Sequence, residues 1–440
     1  MLRRDWLRRE LNTLEVFVLA RNDAQSTFYL LLGFIALYAG EYTLLVVVYA
    51  ILLMASIALA YGEMGSHFPE TGGSYLYVKY SMGPWIGYVS AWLLALDQLI
   101  MISYGTLDSA IYLISILQVY GLSVPVPVVI LAITLSTLLY IITLMGIRES
   151  ARVALAIALF DILIVFTLLA LANLVAGNIS LDIPALKWGD AEPLSLLMAF
   201  ALASRGFTGI DSIGQLAGEA RSPLIQIPRA TITLILAMAI VSFTLTVLLM
   251  NRVPYHDVAT RPELALLALA ENTPYIASVA VPLVAANIIL IMLTAALAGY
   301  VTFSRLMYML AEERHVPQVL SRVHGRFRTP HIALTLAYVV SLLFIVPGEL
   351  KFIVEVYAIA SLANYLLVSL SLGLLERRGS LRGGFRSPRI LGIPLTTIVC
   401  STLTSVGILL SVIERYHALW ILGLWVILGI LLKVAMSRVR

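Results

Sequence analysis

A single cysteine, Cys400, stands in a chain of 440 residues. One thiol excludes an intramolecular disulfide and any multi-cysteine metal site. Charge is almost as scarce. Asp, Glu, Lys and Arg make up 12% of the residues, where a soluble domain carries about 25%. There is no phosphate-cradling loop, no HExxH and no nucleotide-binding glycine pattern after a strand. The Gly72-Gly73 pair lacks the Lys-Ser/Thr that such a cradle needs. These absences argue against an ATP-driven pump and against an enzyme. No catalytic residue, metal or cofactor is expected, and no nucleic-acid partner. Residues 1–10 are charged and lack a small-residue cleavage site, so no signal-peptide pattern precedes the first apolar segment.

What the chain does have is apolar sequence. Hydrophobic residues make up 60% and the mean hydropathy is +0.96. The expectation is an all-α polytopic membrane protein in contact with lipids along its length. The apolar runs, read against the turn formers between them, give twelve transmembrane helices. Both ends then lie on one side. About 22 of the 29 Lys and Arg residues fall on that side, in the tails and in the loops after even-numbered spans. About five lie opposite: Lys187, Arg252, Arg261, Lys351 and Arg415. The positive-inside rule places the protein in the cell membrane with both termini cytoplasmic.

The first apolar segment, Leu11–Tyr42, is organised differently from the others. Its middle carries Arg21, Asn22, Asp23, Gln25, Ser26 and Thr27. Polar and charged groups at that depth are costly, so they face a protein interior or a wet cavity. A helix apolar at both ends and polar in the centre suggests a break at the membrane midplane. Secondary transporters build solute sites from such breaks. The sixth span, interrupted by SRGFTG (204–209), has the same character five spans later. Interrupted segments at matching places in two halves point to an inverted repeat. The boundaries are then 1–10 as a basic cytoplasmic segment and 11–175 as the first repeat. The second repeat is 193–376, and residues 390–436 form two appended helices.

Two readings stay open for the charges. Arg205 on the sixth span is a plausible partner for Asp23, either as a pair that only fixes packing or as one that meets solute. Asp161 stands alone in the apolar run VALAIALFDILIVFTLL. A carboxylate there is expensive to ionise, which makes it a candidate proton carrier. The plainer reading is a carboxyl hydrogen-bonded to a neighbour. Asp97 is read as a packing partner, and Asp108 as lying near the outer end of its helix.

Four stretches resemble the amino acid–polyamine–organocation permease family. YGEMGSHFPETGGSYLYVKYSMGPWIGYVSAWL (61–93) looks like that family's connection between helices two and three. MGIRESARV is similar to its turn into helix five. FTGIDSIGQLAGEARSPLIQIPRA resembles helix six with its cytoplasmic exit. VTFSRLMYMLAEERHVPQVLSRVHGRFRTP is similar to the end of helix eight. The resemblance implies a 5+5 inverted-repeat (LeuT-like) core with helices 1 and 6 discontinuous, plus the two appended helices. The family's Gly-Ser/Thr-Gly run in helix one, whose bare amides hold an amino-acid carboxylate, is absent. Ser26-Thr27-Phe28 occupies that place. Asp161 falls where some members carry a lysine linked to proton coupling.

The expected function is secondary active transport of a small polar organic solute by alternating access. Amino acids, amines and polyamines form the expected class. Substrate-binding residues are expected to be Asp23, Gln25, Ser26, Thr27, Arg205, Phe207, Thr208 and Gly209, with Asp161 as the ion-coupling residue. The coupling cation is expected to be a proton, with sodium as the alternative. The alternative functions are an inorganic-ion cotransporter of the same fold and a non-transporting nutrient sensor.

Overall fold

The computed structural model describes residues 11–68, 70, 72–119, 121–122, 125–177, 179, 192–348, 350–381, 384–414 and 418–438. The basic segment 1–10 and the polar loop with Asp182, Lys187 and Asp190 lie outside the described residues, as does Arg415.

The first helix, α1 (Thr13–Ala39), starts at a capping box. The Asn12 side chain accepts from the Glu15 backbone N–H at 2.9 Å, and the Glu15 carboxylate accepts from the Asn12 N–H at 2.7 Å. Two of the amides that a helix start leaves open are thereby satisfied. The helix then runs unbroken through its polar centre. The expected discontinuity of helix 1 is corrected here, and the reason is local. The stretch ARNDAQST holds neither glycine nor proline, and several of its polar side chains bond sideways to other helices. Asn22, for example, donates to the Ala154 carbonyl at 2.8 Å. Sideways partners spare the backbone from opening.

Gly40 ends α1 at φ 52°, a conformation that L side chains rarely adopt. It separates α1 from α2 (Thr43–His67). The connection that follows is not the bare loop its turn formers suggest. It contains α3 (Gly73–Met82), closed by Gly83 at φ 94°. Next comes α4 (Pro84–Val119), with proline at its first position, where the missing N–H costs nothing. A short α5 (Val128–Leu144) leads to α6 (Ile147–Phe160). A π-helical turn, Asp161–Phe166, joins α6 to α7 (Thr167–Ala176). The sixth span is broken as expected. Between α8 (Pro193–Ala203) and the short α9 (Ser212–Leu216), residues 204–211 form successive turns.

A long helix, α10 (Pro223–Arg252), is followed by two short ones, α11 (Tyr255–Thr260) and α12 (Ala265–Glu271). Then come α13 (Ala277–Glu312), α14 (His331–Ile345) and α15 (Leu350–Arg377). A two-residue hairpin, Arg389–Ile390 with Ile393–Pro394, leads into α16 (Leu395–Glu414) and α17 (Ala418–Arg438). Among the described residues, eight helical stretches are long and apolar enough to cross a membrane, and three shorter apolar helices accompany them. This is a multi-pass helical membrane protein.

Helix α1 sits at the centre, packed by α6, α8, α10 and α13. Around it α2 lies on α10 and α4 on α13. The α4–α13 pair is close because small residues face it. A Cβ on Gly105 would come 2.6 Å from the Met292 carbonyl, and one on Gly299 would come 3.0 Å from the Gln98 carbonyl. Small residues let helix backbones approach where lipid offers no hydrophobic drive to association. Helix α17 is held to α4 by a reciprocal tryptophan pair. Trp92 Nε1 donates to the Trp425 carbonyl and Trp425 Nε1 to the Trp92 carbonyl, each at 2.7 Å, with the rings stacked at 4.8 Å.

Candidate functional site

The polar centre of α1 makes two separate clusters. The first contains Arg21. Its guanidinium forms an ion pair with Asp161 in the π-helical turn, and both side chains are fully buried. The other Asp161 oxygen accepts from Tyr29 at 2.7 Å and from the Asn287 amide of α13 at 2.5 Å. Asp161 is therefore not the lone carboxylate that its apolar run suggests. It joins α1, the fifth span and α13. The π turn inserts an extra residue into the helical ladder at this carboxylate, a distortion frequent at functional sites.

The second cluster lies where α1 meets the break in the sixth span. Gly209 has φ 103°, and a Cβ there would sit 2.2 Å from the Asp23 carboxyl carbon. Only glycine lets the broken stretch close onto Asp23. The Asp23 carboxylate accepts from the Ser212 hydroxyl at 2.8 Å. The expected Asp23–Arg205 pair is corrected on this point. The group that reaches Asp23 comes from the start of α9, because Gly209 brings that end of the break against α1. Arg205 is buried at the end of α8.

The remaining expected residues fall at the same junction. Ser26 and Thr27 each meet the Tyr104 hydroxyl of α4 at 3.2 Å. Thr27 also meets the Thr208 hydroxyl at 3.2 Å. Phe28 stacks on Phe207, rings parallel within 5° and 5.2 Å apart. Gln25 is buried, and neither end of its amide has a hydrogen-bond partner among the described residues. Every one of these side chains is at most 5% exposed, so the junction is closed to solvent at both ends.

A third set holds Asp97, read from the sequence as a packing partner, and Asp211, which sequence reasoning missed. Asp211, two residues beyond Gly209, accepts from the Tyr365 hydroxyl of α15 at 2.9 Å. The same hydroxyl accepts from the Gly209 N–H at 3.2 Å. One turn away on α15, Ser361 donates to Asp97 of α4, whose other oxygen accepts from the Gln98 amide at 2.9 Å. Asp23, Asp97 and Asp211 are within electrostatic reach of one another. The signal available was the adjacent Asp97-Gln98 in the middle of the third span and the Asp in GFTGID. Tyr365 and Ser361 carried none, since hydroxyls are frequent in apolar helices. Asp108, expected near water, is buried.

The ends of the junction are tied off by other elements. Leu11 N–H donates to the Glu219 carbonyl and Arg221 N–H to the Leu11 carbonyl, each at 3.0 Å, a short parallel bridge between the start of α1 and the end of the sixth span. Glu219 is also paired with Arg305 of α13 at 2.8 Å, both buried. At the other end the turn before α12 lies on α1, where a Cβ on Gly33 would come 1.9 Å from the Pro262 carbonyl.

The amino acid permease family profile matches residues 11–432. The "Branched-chain amino acid permease BcaP" of Bacillus subtilis (strain 168) is 23% identical, covering 98% of this chain and 94% of its own length. The "b(0,+)-type amino acid transporter 1" of Mus musculus is 24% identical over 78% of this chain and 70% of its own. The "Low-affinity putrescine importer PlaP" of Escherichia coli (strain K12) is 23% identical over 68% of this chain and 65% of its own. The chain belongs to the amino acid permease family, within the amino acid–polyamine–organocation permeases.

Proposed function

We propose that this permease is a secondary active transporter of a small polar organic solute, of the amino acid, amine or polyamine class. The observation that carries the reading is the family match over 11–432 together with a buried polar junction where α1 meets the break at Gly209. Twelve crossings result when the first helical stretch is divided at Gly40 and the three shorter helices are counted with the rest. A run of 55 residues would otherwise be a rod of roughly 80 Å at 1.5 Å per residue, far beyond a hydrocarbon core of about 30 Å.

The inverted repeat is supported by matched pieces. The second crossing is followed by the short α3, and the seventh by the short α11 and α12. The third and eighth, α4 and α13, each have 36 residues. The basic loops then lie in the cytoplasm with both termini.

In this reading Asp23, Gln25, Ser26, Thr27, Arg205, Phe207, Thr208 and Gly209 form the solute site. The Leu11 bridge and the Glu219–Arg305 pair form the cytoplasmic closure, and α11–α12 the outer one. Alternating access opens one closure while the other holds. Asp161 is the coupling residue. A proton arriving on its carboxyl weakens the hold on Arg21, and α1 is then freer to move against the fifth span and α13.

Uptake into proteoliposomes tests the coupling. Accumulation of solute is expected to follow an imposed pH gradient in the wild type and to be lost in Asp161→Asn, with exchange retained. Accumulation by Asp161→Asn equal to the wild type overturns the role of Asp161.

A further inference from the structure

The start of α4 and the ends of α13 and α17 meet around a cavity of about 270 Å³, near the lower end of small-ligand pockets at about 300 Å³. Its walls include Arg314 and His315 just past α13, and Lys433 and Ser437 on α17, and they share no residue with the junction of α1 and the sixth span. We infer that this cavity holds the phosphoryl headgroup of an anionic membrane lipid. The inference concerns binding alone and is independent of the transport reading.

The first support is the charge on the walls. Lys433 is 6% exposed. Its ammonium lies 4.3 Å from the centre of the Trp85 ring and 4.6 Å from that of Tyr88, and it donates to the Pro84 carbonyl at 2.9 Å. Attraction to the two ring faces helps to fix the cation beside the start of α4. Glu313, the acidic residue of the walls, is already paired with Lys79 of α3 at 2.8 Å. Arg314 makes no ion pair among the described residues. Among those residues the walls therefore carry net positive charge.

The second support is the backbone that presents Arg314. Helix α13 ends in a Schellman turn: the His315 N–H donates to the Leu310 carbonyl at 2.8 Å, and the Arg314 N–H to the Ala311 carbonyl at 3.0 Å. Arg314 takes the left-handed position of that turn, at φ 59°. Glycine usually fills this position because it alone has no Cβ penalty there. An arginine accepts that penalty and places a guanidinium on the cavity wall. A guanidinium engages phosphate oxygens through two parallel N–H donors.

The third support is the cavity's place at the helix ends. Trp85 and Ile86, in the first turn of α4, are exposed. Tryptophan is enriched at the headgroup level of membranes. On α17, Ile430 is exposed and lies seven residues before Ser437, so both are on the same side of the helix. Seven residues earlier again, a Cβ on Gly423 would meet no atom within 4 Å. Apolar surface for acyl chains thus adjoins a basic cavity, which a soluble phosphate would not need. Basic pockets between transmembrane helices bind lipid headgroups in this way. A headgroup held by Arg314 and Lys433 bridges α13 and α17.

The test titrates the full chain, purified in detergent, with dioleoylphosphatidylglycerol, dioleoylphosphatidylcholine and inorganic phosphate. Thermal unfolding midpoints give apparent affinity, because a ligand that binds only the folded state stabilises it. Phosphatidylglycerol is expected to bind at least tenfold more tightly than phosphatidylcholine, and phosphate at the same concentration to leave the midpoint unchanged. Arg314→Gly removes the guanidinium and relieves the positive φ. It is expected to keep or raise the lipid-free midpoint while weakening phosphatidylglycerol at least fivefold; a merely structural arginine would instead lower the lipid-free midpoint. Should Arg314→Gly lose its cooperative unfolding transition, Arg314→Asn, which also tolerates the left-handed region, is read by the same criteria. Equal binding of the two lipids, or phosphatidylglycerol affinity unchanged within twofold in the variant, overturns the site. Phosphate that matches phosphatidylglycerol in the wild type, and loses its effect in the variant, overturns the lipid as occupant in favour of a soluble phosphoryl anion.

Discussion

Arg21 and Asp161 show how much one buried pair can decide. Each side chain is fully buried, and they are 140 residues apart in the chain. Removing one partner of such a pair leaves an uncompensated charge, at a cost of about 3–5 kcal/mol. Asp161→Asn is therefore expected to lower the unfolding midpoint markedly, and Arg21→Met added to it to restore most of the loss. Thermal unfolding of the two single variants and the double checks this; additive losses would show that the pair does not act as a unit. Gly209 carries the second residue-scale prediction. Alanine there meets both a positive φ and the Asp23 carboxylate. Strain of this kind costs about 1–3 kcal/mol. Gly209→Ala is expected to impair solute binding more than stability, because Asp23 must be displaced; unchanged affinity in a binding titration would contradict that. At this scale the sequence was informative about which residues matter and silent about their partners. ARNDAQST and SRGFTG marked the right stretches, but no local pattern joins Arg21 to a carboxylate on another helix or brings Tyr365 to Gly209.

Among elements, the contrast between α1 and the sixth span is instructive. Both have polar centres, and only one is broken. The difference is glycine. Gly206 and Gly209 lie in the break of the sixth span, whereas α1 has none between Leu11 and Gly33. Polar composition alone does not distinguish a helix that opens from one whose side chains bond sideways. That is why the discontinuity of helix 1 was misread from sequence and that of helix 6 was not. The π turn at Asp161 was equally invisible, since no local pattern marks it; there the carboxylate meets Arg21, Tyr29 and Asn287 from other helices. The last helix gives a further prediction. α17 is mostly exposed toward the lipid side, and the Trp92–Trp425 pair holds it to α4. Trp425→Ala is expected to cost about 1–3 kcal/mol, from the lost ring stack on Trp92 at about 0.5–1.5 kcal/mol and the lost hydrogen bond at about 0.5–1.5 kcal/mol, while leaving solute affinity within about twofold; binding and thermal unfolding measured on the same variant separate the two effects. A loss of affinity without a loss of stability would contradict the purely anchoring role of α17.

For the molecule as a whole, the spacing of basic residues carries the expected orientation. Cys400 is buried, so new cysteines report alone. Ser380→Cys is expected to resist an impermeant thiol reagent on intact cells and Ser180→Cys to react with it. The opposite pattern would invert the orientation. The general architecture was legible because lipid imposes it: long apolar helices, short polar connections and a charge bias survive in any single sequence. The closure of the junction at both ends was not legible. It depends on backbone bridges such as Leu11 with Glu219 and Arg221, which any residues could make.

Transport itself is the claim on which the rest depends, and reconstitution addresses it most directly. Purified protein in liposomes is supplied with radiolabelled leucine, lysine or 1,4-diaminobutane under an inward pH gradient, with a protonophore and empty liposomes as controls. The account predicts accumulation of at least one of these solutes above its external concentration, collapsing when the protonophore is added. Uptake no greater than in empty liposomes for all three, with and without the gradient, would contradict it.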